Sequence, residues 1–123
     1  MTLARLDYER VRSLVVARLR GEVDMSNANN LREALNEATP NDALGLILDL
    51  SEVEYLDSAG IHLIYRLREE LRRRGQGFRI VVPPDSVVND TLRLAGIHRE
   101  DETVTTAAEA CVALEQRSDV SAH

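Results

Sequence analysis

The run Leu44-Gly45-Leu46-Ile47-Leu48-Asp49-Leu50 limits the choice of fold more than any other stretch of this chain. A short, almost unbroken apolar segment has no polar face to turn to water, which marks a strand covered on both sides. Soon after it comes Leu56-Asp57-Ser58-Ala59-Gly60-Ile61, and then Ile61, Ile64, Leu67 and Leu71 recur at helical spacing up to Gly75. Ser58 therefore sits where a chain leaving a central strand turns into a helix. There its hydroxyl lies at an exposed rim, beside unpaired backbone N–H groups and the positive end of a helix dipole. Such a serine serves as a cap, a nucleophile or a switch.

The remaining pattern supplies the frame. Residues 3–8 and 14–19 read as two strands joined by a turn at 9–13, the second β-branched and ending at Gly21. In the polar cluster 25–30, Ser26 or Asn27 is placed to cap a helix whose core face is Leu31, Ala34, Leu35 and Ala38. Pro40-Asn41-Asp42 ends that helix and leads into the apolar strand. Gly75 and Gly77 stop the Ser58 helix, and 78–82 forms another strand. Pro83-Pro84-Asp85-Ser86 makes a loop and cap, followed by a short helix with Val88, Leu92 and Ala95 inward and Gly96 closing it. Residues 103–105 read as a weak last strand and 106–116 as an amphipathic helix burying Ala107, Ala110, Cys111 and Leu114. The expected organisation is one domain over 1–116 and a polar, flexible tail at 117–123.

An initial hairpin followed by alternating strands and helices defines an α/β chain: a mixed β-sheet with right-handed crossovers and about four helices packed against it. Functional groups in such sheets gather at the carboxyl ends of strands. The Asp24 loop and the Ser58 loop both leave such ends, so neighbouring strands would put Asp24, Asp57 and Ser58 on one rim.

Composition narrows the partners. A formal charge of −6 provides no net basic field to draw phosphates, which excludes nucleic acid as the expected partner. Arg66, Arg68, Arg72, Arg73 and Arg74 alternate with Glu69 and Glu70 and read as a solvated helix face. No apolar run approaches the roughly 20 residues needed to span a bilayer, so no membrane is expected. Residues 1–12 carry charges throughout, which argues against a signal peptide. The one cysteine, Cys111, has no partner for an internal disulfide, which suits a reducing cytoplasm.

Catalysis finds little support. A nucleophile elbow wants glycine two places before and after the serine; Gly60 is present, but Leu56 occupies the other position. His62, His98 and His123 are poorly placed as bases for Ser58. No phosphate-cradling glycine loop precedes a helix, and no metal-ligand spacing occurs; Asp49, Glu52 and Asp57 near one strand end are a weak magnesium candidate at most. Neither a metal nor a cofactor is expected. What remains is a cap or a modifiable hydroxyl. If Asp57 is the cap, Ser58 lies one position into the helix with its hydroxyl free, where a phosphate would add about −1.5 to −2 charges.

Gly21-Glu22-Val23-Asp24, the helix segment Leu31-Arg32-Glu33-Ala34-Leu35, the strand ending Leu48-Asp49-Leu50, the loop Leu56-Asp57-Ser58-Ala59-Gly60-Ile61 and Leu94-Ala95-Gly96-Ile97 occur in that order. Together they resemble the STAS domain, and specifically the free-standing anti-sigma factor antagonists of bacteria. The resemblance implies a cytoplasmic, non-enzymatic regulator, monomeric or weakly dimeric. Its partner would be an anti-sigma factor that is also a serine kinase, with ATP bound by that partner. The kinase would phosphorylate Ser58, the phosphorylated form would let go, and a phosphoserine phosphatase would reset it. Asp24 and Asp57 would shape the rim, with Met25, Ala59, Gly60, Ile61 and His62 in the partner-binding environment. Two positions depart from the family pattern: His62 stands where glycine is usual and Asn27 where threonine is frequent. The alternative is a soluble STAS subunit of a membrane lipid or anion transport complex, with Ser58 unmodified.

Overall fold

Strand β1 (Ala4–Val11) turns through Arg12 and Ser13 into β2 (Leu14–Val23), the two pairing antiparallel with Val11 opposite Leu14. The tight connection holds Arg12 at φ 57°, the left-handed backbone that two-residue hairpins require. The rest alternates: α1 (Ala28–Ala38), β3 (Gly45–Leu56), α2 (Ser58–Arg73), β4 (Gly77–Val81), α3 (Val87–Leu94), β5 (Thr103–Val104) and α4 (Ala107–Ser121). The computed structural model describes residues 4–97, 103–104 and 106–121, with 103–104 and 117–121 described by backbone alone. Leu3, His98, Thr105 and His123 lie outside the described residues.

The sheet runs β1-β2-β3-β4-β5, antiparallel only at β1–β2. The expected mixed sheet with four helices is therefore what the described residues form. Leu46, Leu48 and Leu50 of β3 face Leu31, Leu35, Leu63, Leu67 and Val88 in the main core. Ile47, on the opposite side of the same strand, joins Val16, Val81, Ala110 and Leu114 beneath α4. Both faces of β3 are thus covered, which is why its run carries no apolar–polar alternation.

Both central strands are longer than the pattern suggests. Asp49 pairs opposite Arg18, but Glu52 opposite Arg20, and Val53 opposite Gly21, but Tyr55 opposite Glu22; β3 gains one residue at each step. At the first irregularity Asp49 Oδ1 accepts hydrogen bonds from Ser51 N at 2.9 Å and Ser51 Oγ at 2.6 Å, and at the second Gly21 adopts φ 92°. Bulges of this kind break the two-residue period while the ladder continues. Beyond the reach of α4, Arg18 meets Glu9 at 3.4 Å and Asp49 at 3.9 Å, and Arg20 pairs with Glu52.

Several local expectations change. The hairpin turn is Arg12-Ser13 alone, with residues 9–11 in β1. On α1 the fully buried positions are Ala28, Leu31, Leu35 and Ala38, while Ala34 is half-buried; Ala95, past the end of α3, is also half-buried. Ala107 and Cys111 are only partly buried: Ala110 and Leu114 form the narrow inward stripe of α4, and the other two pack at its edge. Helix α4 continues to Ser121, into the stretch read as a polar tail. Gln76, between the glycines at 75 and 77, is 4% exposed and donates to Pro40 O at 2.8 Å and Ala43 O at 3.0 Å, tying the end of α2 to the loop before β3.

Candidate functional site

Val23 and Leu56, the last residues of β2 and β3, are register partners, and Asp57 N donates to Val23 O at 3.2 Å. The two loops that follow therefore start side by side at the carboxyl edge of the sheet. The first is closed by its own polar groups. Asp24 N donates to Asn27 Oδ1 at 3.1 Å, Asn27 Nδ2 donates to Glu22 O at 2.9 Å, and Asp24 Oδ1 accepts from Ser26 N at 2.9 Å. Asn27 precedes α1, but neither its side chain nor Ser26 caps that helix; Asn27 braces the loop instead. With Asp24 held, Met25 projects from the tip, 85% exposed.

The second loop divides two roles between adjacent residues. Asp57 is the N-cap of α2, its Oδ1 accepting from Ala59 N at 2.8 Å and Gly60 N at 3.1 Å. A carboxylate there satisfies two orphan donors and meets the helix dipole with the favourable sign. Ser58 is then the first residue of the helix, exposed, and its hydroxyl makes no hydrogen bond among the described residues. Gly60 lets the first turn sit directly on the strand ends: a Cβ there would collide with Leu56 and stand 3.3 Å from Val23 Cγ1.

The expected site residues separate by exposure. Met25, Ser58 and His62 are open to solvent, and Asp24, Asp57 and Ala59 are half-buried at the rim. Gly60 is buried and Ile61 packs against the main core, so both act on the rim from below and neither offers a contact surface like that of Met25. Asp49, Glu52 and Asp57 do not converge: each is engaged separately, by Ser51 and Arg18, by Arg20, and by the α2 amides. Among the described residues no group of three or more His, Cys, Asp or Glu side chains is arranged to hold a metal ion. None of their helices is long and apolar enough to cross a membrane.

One feature of this rim escaped the sequence pattern. Between α1 and α2 lies a groove of about 160 Å³ that brings Arg66 and Arg32 beside Ala59, His62 and Leu63. The small residues Ala28 and Ala59, each in a first helical turn, were its only trace in the sequence. Cys111 lies on the far side of the sheet, where burial, with Glu115 adding and Arg12 opposing, pushes its thiol above the ordinary value.

A mixed sheet with a capped helix and an exposed serine at its carboxyl edge is the frame of an α/β domain whose residues 5–110 match the STAS domain family; the chain belongs to that family. Among its relatives, the anti-sigma-F factor antagonist RsfB of Mycobacterium tuberculosis is 30% identical over 98 residues, covering 79% of this chain and 78% of the relative. The crystal structure of an anti-sigma factor antagonist from Mycobacterium paratuberculosis superposes with a TM-score of 0.81 at 25% identity, covering 92% of this chain and 95% of that one. The anti-sigma factor antagonist SpoIIAA in its unphosphorylated form shares the fold at a TM-score of 0.71 and 21% identity, over 91% of this chain and 97% of that one.

Proposed function

We propose that this protein is an anti-sigma factor antagonist: it binds an anti-sigma factor through the rim formed by the Asp24 and Asp57-Ser58 loops and so frees the sigma factor. Phosphorylation of Ser58 by the kinase activity of that partner ends the complex, and a phosphoserine phosphatase restores it. The protein acts by binding, with ATP held by the partner. The observation that carries this reading is the division of labour at the start of α2. Asp57 does the capping, so the exposed Ser58 hydroxyl is available to be modified without removing a structural hydrogen bond. The family membership and the names of the relatives support the same assignment.

A phosphate at Ser58 would add about −1.5 to −2 charges next to Asp57 and on the rim it shares with the Asp24 loop, only partly offset by the α2 dipole. Met25 and the mouth of the α1–α2 groove stand beside it and supply the apolar contact area. An unpaired charge introduced into such a contact costs about 2–5 kcal/mol, on the order of 30- to 4,000-fold in affinity.

The test is capture from native cytosol with wild type, Ser58→Ala and Ser58→Asp, followed by intact-mass measurement of the native protein. Wild type and Ser58→Ala should hold a histidine-kinase-like ATPase that Ser58→Asp releases, and part of the native protein should carry one phosphate. Equal retention by Ser58→Asp and Ser58→Ala refutes the switch.

A further inference from the structure

The groove between α1 and α2 has a composition that the antagonist reading does not by itself require. Ala28, Ala59 and Leu63 supply apolar lining, and the exposed Met25 lines it as well. Its volume, about 160 Å³, is close to that of an engineered apolar cavity of about 150 Å³ that takes up a benzene molecule. That is room for one medium-sized apolar side chain, not for a nucleotide or a cofactor.

Charge along the groove is uneven. Arg32 is committed to the wall, its guanidinium 3.0 Å from Glu70 Oε1 and 3.0 Å from Asn29 Oδ1. Glu69 is taken by Arg73. Arg66 lines the same groove, is exposed, and makes no ion pair or hydrogen bond among the described residues. His62, one turn earlier on α2, presents a second polar edge on the same wall. The chain's net charge of −6 opposes acidic ligands in general, so the preference is local: an apolar slot beside the Arg66 guanidinium suits a ligand that is apolar at its centre and acidic at the edge facing Arg66.

We infer that the α1–α2 groove seats one leucine-like side chain of the protein partner, flanked by a carboxylate that pairs with Arg66. This deepens the antagonist reading and rests on it for the partner's identity, while the groove's preference for an acid-flanked apolar residue rests on the groove alone. Ala59 is both a wall of the groove and the neighbour of Ser58, so the seat is continuous with the rim. Ser58 and Arg66 are eight residues apart on α2, about 12 Å along the helix axis, so a phosphate on Ser58 would act at the Ala59 end of the seat and not on the carboxylate at Arg66.

The test uses the full chain, labelled with nitrogen-15, and terminally blocked tripeptides as probes: Glu-Leu-Glu, Gln-Leu-Gln, Lys-Leu-Lys and Glu-Ala-Glu. Glu-Leu-Glu should shift the amides of Ala28, Ala59 and Leu63 and bind on the order of tenfold more tightly than Gln-Leu-Gln. Lys-Leu-Lys and Glu-Ala-Glu should leave those amides in place. Arg66→Gln should erase the difference between the acidic and neutral probes, and Ala59→Leu, which fills the slot from a half-buried position in the first turn of α2, should abolish binding. The inference is overturned by shifts that map elsewhere, by equal binding of the three charge types, by no binding at all, or by undiminished binding to Ala59→Leu in a chain whose other amides are unchanged. The probes contain neither kinase nor phosphate. Discrimination among them together with a failed Ser58→Asp capture would therefore keep the groove and remove the switch; the reverse result would remove the groove alone.

Discussion

Gly60→Ala tests how tightly the rim is bolted to the sheet. By helix propensity alone the change should help, by up to about 1 kcal/mol. The packing predicts the opposite. The added methyl would overlap Leu56, whose Cγ would lie 2.9 Å away, and would approach Val23 Cγ1 to 3.3 Å. Leu56 and Val23 are 6% and 1% exposed, so neither has open space to retreat into. Overpacking of this kind costs about 1–3 kcal/mol. Set against the propensity gain, the net expectation is a loss of roughly 1–2 kcal/mol, or a fall of about 0.5–1 M in the urea midpoint. The chain has no tryptophan, so far-UV circular dichroism is the natural probe of unfolding. A second variant isolates the cause. In the Leu56→Ala background the methyl has a cavity to enter, and Gly60→Ala should cost markedly less than in wild type. If Gly60→Ala is as stable as wild type, or if its cost is unchanged in the Leu56→Ala background, the close-approach argument is wrong.

Gly45→Ala should be more damaging still, because its Cβ would stand 2.6 Å from the backbone oxygen of Gly77, and backbone cannot swing aside; loss of soluble protein, or a loss of more than about 3 kcal/mol by urea unfolding, is the expected outcome. Asp57→Ala removes the cap that accepts from Ala59 N and Gly60 N and should cost about 1–2 kcal/mol, whereas Ser58→Ala should stay within about 0.5 kcal/mol of wild type in the same assay. The raised Cys111 thiol should alkylate more slowly at neutral pH in the native protein than in the urea-unfolded chain, and equal rates would refute it. Because the folded state holds that proton more tightly, its stabilising contribution is present at neutral pH and fades as pH rises through the folded thiol's range, which pH-dependent urea midpoints of wild type against Cys111→Ala would detect.

The order of elements was legible because its signals are local. The apolar run at 44–50, the cap at Ser86 and the positive-φ glycines at 75 and 96 each act within a few residues, and each does its expected work. The adjacency of the Asp24 and Ser58 loops also followed, since it required only that β2 and β3 be neighbours. What stayed hidden depended on contacts between distant segments. The final turns of β2 and β3 carry bulges that erase the two-residue period, so Gly21 and Leu50 looked like strand ends. Gln76 sits between the glycines at 75 and 77, and only the fold brings Pro40 and Ala43 to its amide. Arg66 looked like one more charge on a solvated face; its place beside an apolar slot depends on the separation of two helices, which no single periodicity encodes.

The relation between Asp57 and Ser58 explains why a rim of this design suits regulation. Had the serine been the cap, its oxygen would be spent on the α2 amides, and any group added to it would compete with the start of the helix. Placing the carboxylate one residue earlier reverses this: the helix start is fixed by Asp57, and the Ser58 hydroxyl one step on could take up a charged group without breaking the cap. The bracing of Asp24 by Ser26 and Asn27 keeps the facing loop in place through such a change. A charge added at Ser58 would then be felt mainly by whatever docks on Met25 and the groove, not by the fold beneath. In the proposed switch, separating the structural carboxylate from the hydroxyl would let the rim change its partner affinity while the sheet and helices that position it keep their stability.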